Sequence, residues 1–339
     1  MHFGDRLWNG QTKLKYYEMF ANGHDAVSFF FVLSGFVLSY KYIVLKHPLK
    51  LQEYYISRVF RLLPAYFVAV LASALYTLHW KHQTSLNDLL DVFLGRKGNF
   101  WEEAILIKPV HDFYFPGWTL TIEFLASLML PFFMVVAMKN RKLLSALLLV
   151  WVFVIGENFL FLQHFLLGLL ICSYFNELQP TTFQHQTWYK FRYLLLLVAI
   201  LLWPLRYYAQ LVPFGSWYGS LCAFTHWSEY TVTAFCSALF LTTILFSLKT
   251  QAFLSRGIFV FLGKISFSIY LTHILAIAWV FDSLIPDWGA ANGTLKNIEY
   301  VTWVGGLTLV YSLIMYHAIE KPSIALGKRI NARLSAGKE

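Results

Sequence analysis

The sequence predicts an all-α fold, a polytopic bundle of about nine transmembrane helices, and two properties of the chain support this class. Of its 339 residues, 58% are hydrophobic and only 13% are charged, whereas soluble domains are about half apolar and about 25% charged. The apolar residues also cluster into long segments, and a transmembrane helix needs about 20 such residues. This composition is not typical of soluble, disordered or fibrous proteins. Residues 1–339 are therefore expected to form a single integral-membrane domain.

The predicted helices are nine apolar segments separated by short polar loops. Several are shorter than a full span, Leu143–Ile155 most of all, and such a segment can be the buried neighbour of a tilted helix. The nine segments are Ala26–Tyr42, Pro64–Trp80, Thr119–Met138, Leu143–Ile155, Phe159–Phe175, Tyr193–Tyr207, Thr231–Leu248, Ile265–Phe281 and Val301–Ile319.

The basic residues predict how the bundle is oriented. When Lys41–Leu63 is placed in the cytoplasm and later segments alternate, the cytoplasmic loops hold 18 of the 27 Lys and Arg residues. This asymmetry follows the positive-inside rule and puts the C-terminus in the cytoplasm. The net charge of +9 then reflects orientation in the lipid bilayer, and no nucleic-acid partner is expected. The same orientation leaves residues 1–24 outside with no span ahead of them, so either the N-terminus crosses the membrane unaided or a first helix is missing from this sequence.

No metal or nucleotide site is indicated by the sequence. The three cysteines, Cys172, Cys222 and Cys236, form no CxxC pair, and the HExxH, P-loop, GxGxxG and GxSxG motifs do not occur. The stretches Asn22–Asp25 and His111–Asp112 are interpreted as loops. Polar residues inside or beside the apolar segments are the better candidates for function, because polarity at membrane depth is unfavourable.

The first candidates are two arginines in the stretch SRVFRLLP, Arg58 and Arg61. Their spacing of three residues puts both on one helix face, and Leu51–Leu63 is interpreted as an interfacial helix. Two guanidinium groups together suit the phosphates of a ligand. The alternative is that both arginines only follow the positive-inside rule and extend toward the headgroups.

The second candidate is Glu123 in the stretch PGWTLTIEF, about one turn inside a predicted span. An intramembrane carboxylate is rare and indicates function. Such a residue is expected to face the bundle interior, within reach of a polar group from another span. The alternative interpretations are a carboxylate hydrated from a crevice and a carboxylate paired for folding.

Two further stretches contain polar or small residues. In GKISFSIYLTH, Ser266, Tyr270 and His273 share one helix face, and His273 is either a site residue or a buried histidine bonded to a nearby carbonyl. In FFFVLSGFVLSY, Ser34 and Gly35 form a notch of small residues that lets two helices pack closely.

The ordered series of these motifs resembles the acyltransferase 3 family of membrane acyltransferases. The matching stretches are HF at residue 2, AVSFFFVLSGF, RVFRLLPAY, PGWTLTIEF and LGKISFSIYLTH, and they extend to residue 273. The resemblance implies a bundle of ten spans in the bacterial inner membrane. It also implies an enzyme that O-acylates, with acetyl expected, a hydroxyl of a carbohydrate or cell-surface glycan.

The resemblance also implies roles for particular residues. His2 aligns with the family's catalytic histidine near the end of a first helix, which this sequence lacks, and Glu123 would orient His2 or a substrate hydroxyl. Arg58 and Arg61 would hold the phosphates of acyl-CoA, which is a donor substrate, so no permanently bound cofactor and no metal are expected. The remaining candidates, which would bind substrate or support the site, are Trp118, Ser34, Tyr270 and His273. Ser28 stands where many members carry Asp.

Two alternatives to an active acyltransferase stay open. A transporter or flippase also has many spans and intramembrane polar groups, although transporters often show duplicated halves and this sequence shows no such symmetry. An inactive, truncated family member is the second alternative, because the helix that would support His2 is missing. Hydrolysis of an acyl thioester distinguishes an enzyme from a transporter.

Overall fold

The computed structural model describes residues 23–81, 85–106, 112–152, 161–179, 191–203, 229–284 and 294–336, and every regular element in these ranges is a helix. The all-α class is thereby confirmed. The helices are α1 (Gly23–Ile43), α2 (Leu51–Trp80), α3 (Leu86–Phe93), α4 (Phe100–Ala104), α5 (Gly117–Lys139), α6 (Arg141–Val150), α7 (Leu162–Ser173), α8 (Arg192–Leu202), α9 (Glu229–Leu245), α10 (Leu248–Leu254), α11 (Gly257–Trp279), α12 (Thr294–Met315) and α13 (Lys321–Ala336).

Five helical stretches within the described ranges are long and apolar enough to cross a membrane. A sixth is obtained when α9 and α10, which are bent by 94° relative to each other, are taken as one broken span. The predicted segments Leu143–Ile155, Phe159–Phe175 and Tyr193–Tyr207 correspond to the shorter helices α6, α7 and α8. The five long stretches are Asp25–Ile43, Leu51–Trp80, Gly117–Lys139, Gly257–Leu284 and Ile298–Ala336.

Helix α2 differs from the predicted arrangement of an interfacial helix followed by a separate span. It is one continuous helix of 30 residues that passes through Pro64. Proline removes one backbone hydrogen bond, which transmembrane helices tolerate where neighbouring structure supports them. Leu62 and Ala65 on either side of Pro64 are buried. As a result, Arg58 lies within a long apolar helix instead of on a separate interfacial one.

The last helices also continue further than the apolar pattern indicated. The predicted span Val301–Ile319 passes through a π-helical turn, Tyr316–Glu320, directly into α13. The turn ends two residues before Pro322, whose missing N–H would otherwise interrupt a regular α-helix. This continuation keeps Glu320, the residue after the last predicted apolar segment, inside the helical stretch.

The described chain divides into two compact units. The first unit consists of Lys50–Phe124 and Gly257–Glu339, and the second consists of residues 23–49 and Leu125–Arg256. In the first unit, the core includes the buried rings of Tyr66, Phe100 and Tyr114. Close packing of α13 on α2 requires Gly327, because a Cβ there would lie 2.8 Å from Cβ of Phe60.

The second unit is held together by a close approach of α1 and α7. A Cβ on Gly35 would lie 2.2 Å from the carbonyl oxygen of Phe165, and a Cβ on Gly168 would lie 2.0 Å from that of Val32. Small residues let helix backbones approach in this way within membranes. Helix α9 adds polar contacts, because the Ser28 hydroxyl lies 3.1 Å from that of Thr233 and Gln163 donates to Thr231.

We expect Gly168→Ala to destabilise the protein by about 1–3 kcal/mol, because the added methyl group forces α1 and α7 apart. The matched control is Gly305→Ala on α12, where a Cβ would meet nothing within 4 Å. This control should stabilise the helix by about 0.5–1 kcal/mol, since alanine is the better helix former. Thermal unfolding of the purified protein in detergent measures both effects. Equal unfolding temperatures for the two variants would show that the close approach is not maintained.

Candidate active site

The centre of the candidate site is an ion pair between two helices of the first unit. Nη2 of Arg58 on α2 donates a hydrogen bond to Oε1 of Glu123 on α5, at 3.0 Å. The two side chains are 7% and 21% exposed, so the pair is largely shielded from solvent. Glu123 therefore has the partner on another helix that an intramembrane carboxylate requires.

Arg58 keeps one donor that this pair does not use. Its Nε is buried and makes no hydrogen bond to any described residue. A buried donor without a partner is unfavourable by about 1–3 kcal/mol, and such atoms are found where a site accepts a ligand or water. The guanidinium group is therefore anchored by Glu123 and still has hydrogen-bonding capacity.

A second arginine of α2, one turn after Arg58, lies near a second glutamate. Arg61 is exposed and close enough to Glu320 for the two charges to attract each other. The Glu320 carboxylate is almost fully buried, and its Oε2 accepts a hydrogen bond of 2.6 Å from Ser268 on α11. Two arginines and two glutamates thus give a neutral set of charges within one unit.

Neither Glu320 nor Ser268 was identified from the sequence. Glu320 directly follows the last apolar segment, Val301–Ile319, and the apolar pattern did not include it. Ser268 lies two residues after Ser266, which shares the face of Tyr270 and His273, whereas the structure turns Ser268 toward Glu320. The feature of the sequence that could have indicated this site is an acidic residue, Glu320, directly after an apolar segment. The helix does not end with that segment but continues past Glu320.

Tyr270 connects the beginning of α5 to α11. Its hydroxyl makes a short hydrogen bond with the Thr119 hydroxyl and also donates to the carbonyl oxygen of Pro116. The Tyr114 hydroxyl donates to the carbonyl oxygen of Leu271 at 2.9 Å. These bonds fix the start of the helix that carries Glu123, which gives Tyr270 a supporting position beside the ion pair.

His273 is bonded to its own helix. Its Nδ1 donates to the carbonyl oxygen of Tyr270 at 2.6 Å, which matches the interpretation of a histidine bonded to a nearby carbonyl. Ser266, on the same predicted face, donates to the carbonyl oxygen of Gly263. Within the described residues, neither side chain contributes a hydrogen bond to the Arg58–Glu123 pair.

Glu103 on α4 is a further buried acid, and it holds the loop that leads into α5. Its carboxylate accepts the backbone N–H groups of Phe113 and Tyr114, at 3.0 and 2.7 Å. Burial raises the pKa of Glu103 to about 7 although both hydrogen bonds favour the ionised form. Glu103 lies outside the predicted spans, so hydropathy alone did not identify it.

The other predicted residues lie in different places. Trp118 is half-buried in the first turn of α5, and Ser34 is half-buried on α1 in the second unit, next to the close contact at Gly35. His2 lies outside the described residues. Asp25, interpreted from the sequence as a loop residue, is instead buried in the first turn of α1, one turn before Ser28.

Comparison with known proteins identifies the family. A family model described as an acyltransferase domain matches residues 1–317, which is most of the chain. No curated protein and no solved structure matches the sequence. Together with the long apolar helices, the match shows that the chain belongs to the acyltransferase 3 family and is an integral membrane acyltransferase.

Proposed function

We propose that this acyltransferase moves an acyl group, expected to be acetyl, from acyl-CoA to a hydroxyl of a carbohydrate or cell-surface glycan. The observation that carries the proposal is the Arg58–Glu123 pair, a shielded ion pair between two long apolar helices. Replacing such a pair by apolar residues is often neutral or stabilising. Its presence at membrane depth therefore favours a role in binding or chemistry.

The donor would be bound through the arginines of α2. Arg61 is exposed, and a guanidinium group forms two parallel hydrogen bonds to a phosphate. Arg58 already bonds Glu123, so its main role would be to position that carboxylate, with the buried Nε available to the donor. The phosphates of acyl-CoA thus have their first contact at Arg61.

The chemical step would use His2 as the general base. Its imidazole nitrogen takes the proton of the acceptor hydroxyl as the oxygen attacks the thioester carbonyl carbon. The tetrahedral intermediate then collapses, the carbon–sulfur bond breaks, and the departing thiolate receives the proton from the imidazolium. Glu123 would orient His2 or the acceptor hydroxyl, since a base is usually held by a third group.

A cavity of about 290 Å³ in the first unit supports a carbohydrate acceptor. It is lined by aromatic residues, including Tyr76, Trp80 and Phe115, and by the carboxylate of Asp282, which accepts a hydrogen bond from Tyr76. Aromatic side chains offer flat apolar faces with a polar edge. A carboxylate accepts hydrogen bonds from hydroxyl groups. This combination suits the mixed polar and apolar surface of a sugar ring.

The proposed orientation places the Lys46 end of α1 and the C-terminus in the cytoplasm of a bacterial inner membrane, following the distribution of basic residues. Because Lys41–Leu63 is placed in the cytoplasm and includes the first half of α2, the cavity at Trp80, the last residue of that helix, would open toward the outer face. A thiol introduced at Lys46 should react with a membrane-impermeant reagent only from the cytoplasmic side. Reaction only from outside would invert this orientation.

The proposal is tested with acyl-CoA labelled in the acyl group and with the protein reconstituted into vesicles. We expect the label to pass to added glycan and, when no glycan is present, to pass slowly to water.

Arg61→Ala should raise the KM for acyl-CoA about 10- to 100-fold, because a hydrogen bond to a charged group contributes roughly 1.5–3 kcal/mol. Arg61→Lys should restore this only partly, since lysine lacks the planar fork.

The control is Arg256→Ala, which removes an exposed arginine of the second unit. It should leave the KM for acyl-CoA unchanged. A normal KM for Arg61→Ala would show that this arginine only orients the protein in the membrane. Glycan movement across the vesicle membrane without any thioester cleavage would favour the flippase alternative.

A further inference from the structure

A cavity of about 590 Å³ lies in the second unit, close to the ends of α1, α5 and α7 and the start of α6. Ligand sites commonly measure roughly 300–1,000 Å³, so this one is large enough for a polar headgroup. Its described lining combines four basic residues with a larger number of apolar ones: Tyr42, Ile43, Lys46, His47, Pro48, Leu49, Ala137, Met138, Lys139, Arg141 and Ser173.

Three permanent cations, Lys46, Lys139 and Arg141, meet at this cavity, and none of the described residues that line it is acidic. Lys46 and Lys139 form no ion pair with any described residue. Like charges held together repel each other. An anion bound between them would remove this repulsion, and phosphate is well suited to both lysine and arginine.

Arg141 is held in place at the edge of the cavity. It is bonded to Glu177 through Nη1, and its guanidinium carbon lies 4.4 Å above the ring of Tyr174. An arginine has five N–H donors in a fixed plane. The contact with Glu177 therefore orders the group and leaves other donors for an anion.

Lys46 has a backbone conformation that glycine would adopt more readily. Its φ is 56°, in the left-handed region that is unfavourable for a residue with a Cβ. Glycine is the usual residue at such a position after a helix. Strained residues are concentrated where a side chain has a function, and this one directs its cation to a cavity.

The apolar surroundings indicate the source of the anion. Val135 and Met138 on α5, three residues apart on one helix face, are exposed, and Leu143 on α6 is exposed nearby in sequence. Met138 also lines the cavity. Exposed apolar side chains on a membrane-spanning helix contact lipid tails. The cations thus lie next to a lipid-facing apolar surface. A phospholipid has the matching arrangement, with a charged headgroup attached to apolar acyl chains.

We propose that this cavity is a binding site for the phosphate headgroup of an anionic membrane phospholipid. Lys46, Lys139 and Arg141 contact the phosphate, and the acyl chains lie along Val135 and Met138. Basic pockets between transmembrane helices bind anionic headgroups in this manner. The site lies within the second unit, and it does not depend on the donor or the acceptor of the acyl transfer.

The test counts phospholipids retained by the purified full-length protein, using native mass spectrometry with phosphatidylglycerol and phosphatidylcholine as probes. We expect a preference for phosphatidylglycerol. The double variant Lys46→Gly/Lys139→Gln should weaken its binding about 25-fold, since each cation near the membrane surface is worth about fivefold. The matched control is Lys142→Gln, which removes an exposed lysine that does not line the cavity, and it should retain the lipid.

Lys46→Gly alone separates the charge from the fold. It relieves the left-handed conformation, so the unfolding temperature should stay the same or rise, while phosphatidylglycerol binding falls about fivefold. Unchanged lipid binding in the double variant would overturn the proposal and leave the cations as partners of the helix ends. Equal binding of the two phospholipids would overturn it as well, and so would displacement of the bound lipid by coenzyme A.

Discussion

Glu123→Gln should abolish acyl transfer and lower the free energy of unfolding by about 3–5 kcal/mol, because it leaves the charge of Arg58 buried without a counter-charge. Arg58 is 6% exposed, so water cannot replace the lost partner. The carboxamide of glutamine still accepts one hydrogen bond but carries no charge to offset that of the guanidinium. Denaturation in detergent measures the stability, and transfer of labelled acyl groups measures the activity.

A double variant separates the structural role of the pair from its role in catalysis. Arg58→Met/Glu123→Leu replaces both charges by apolar side chains of similar size, which restores stability in comparable cases. Its unfolding free energy should return close to that of the natural protein, and acyl transfer should stay absent. Glu299→Gln, at an exposed acid of α12, is the control and should change neither property. Restored transfer in the double variant would show that the pair serves only folding.

His2→Ala should lower the rate of acyl transfer by roughly 10²–10⁴-fold and leave the affinity for acyl-CoA unchanged. A general base contributes about this factor to the chemical step, whereas the affinity for acyl-CoA is proposed to come from Arg61. The measurement compares single-turnover transfer with equilibrium binding of acyl-CoA. The two readouts distinguish loss of the base from loss of the donor site.

His273→Ala is the matched histidine control for this experiment. Its Nδ1 bonds the carbonyl oxygen of Tyr270, so we expect a modest change in stability and little change in the rate of transfer. Full activity of His2→Ala together with an inactive His273→Ala would reverse the assignment. The general base would then be His273, through the Nε2 that its helix bond leaves available.

The sequence by itself determined the class of this protein. Continuous apolar segments of nearly membrane-spanning length indicate helices, because a helix satisfies every backbone N–H and C=O within the segment itself. The prediction of an all-α bundle followed from this constraint and is confirmed. The ordered motifs from His2 to His273 likewise predicted the acyltransferase 3 family, which the match over residues 1–317 shows.

The tertiary structure decided which of these polar residues meet. Arg58 and Glu123 are 65 residues apart, and Ser268 and Glu320 are 52 apart. Hydropathy does not predict these pairs, since a membrane helix is apolar on nearly every side and its pattern does not show which face points inward. Only the packing of α2 against α5 and against the turn Tyr316–Glu320 brings the two arginines to the two acids.

The sequence pattern also did not predict where helices continue past a proline or which loop groups a buried acid binds. The continuation of α2 through Pro64, and of α12 through a π-helical turn into α13, depends on packing that offsets a missing hydrogen bond. Glu103 acquires its role only because the fold brings the N–H groups of Phe113 and Tyr114 to its carboxylate. Composition and periodicity fix where helices occur, whereas contacts between side chains distant in sequence depend on how those helices pack together.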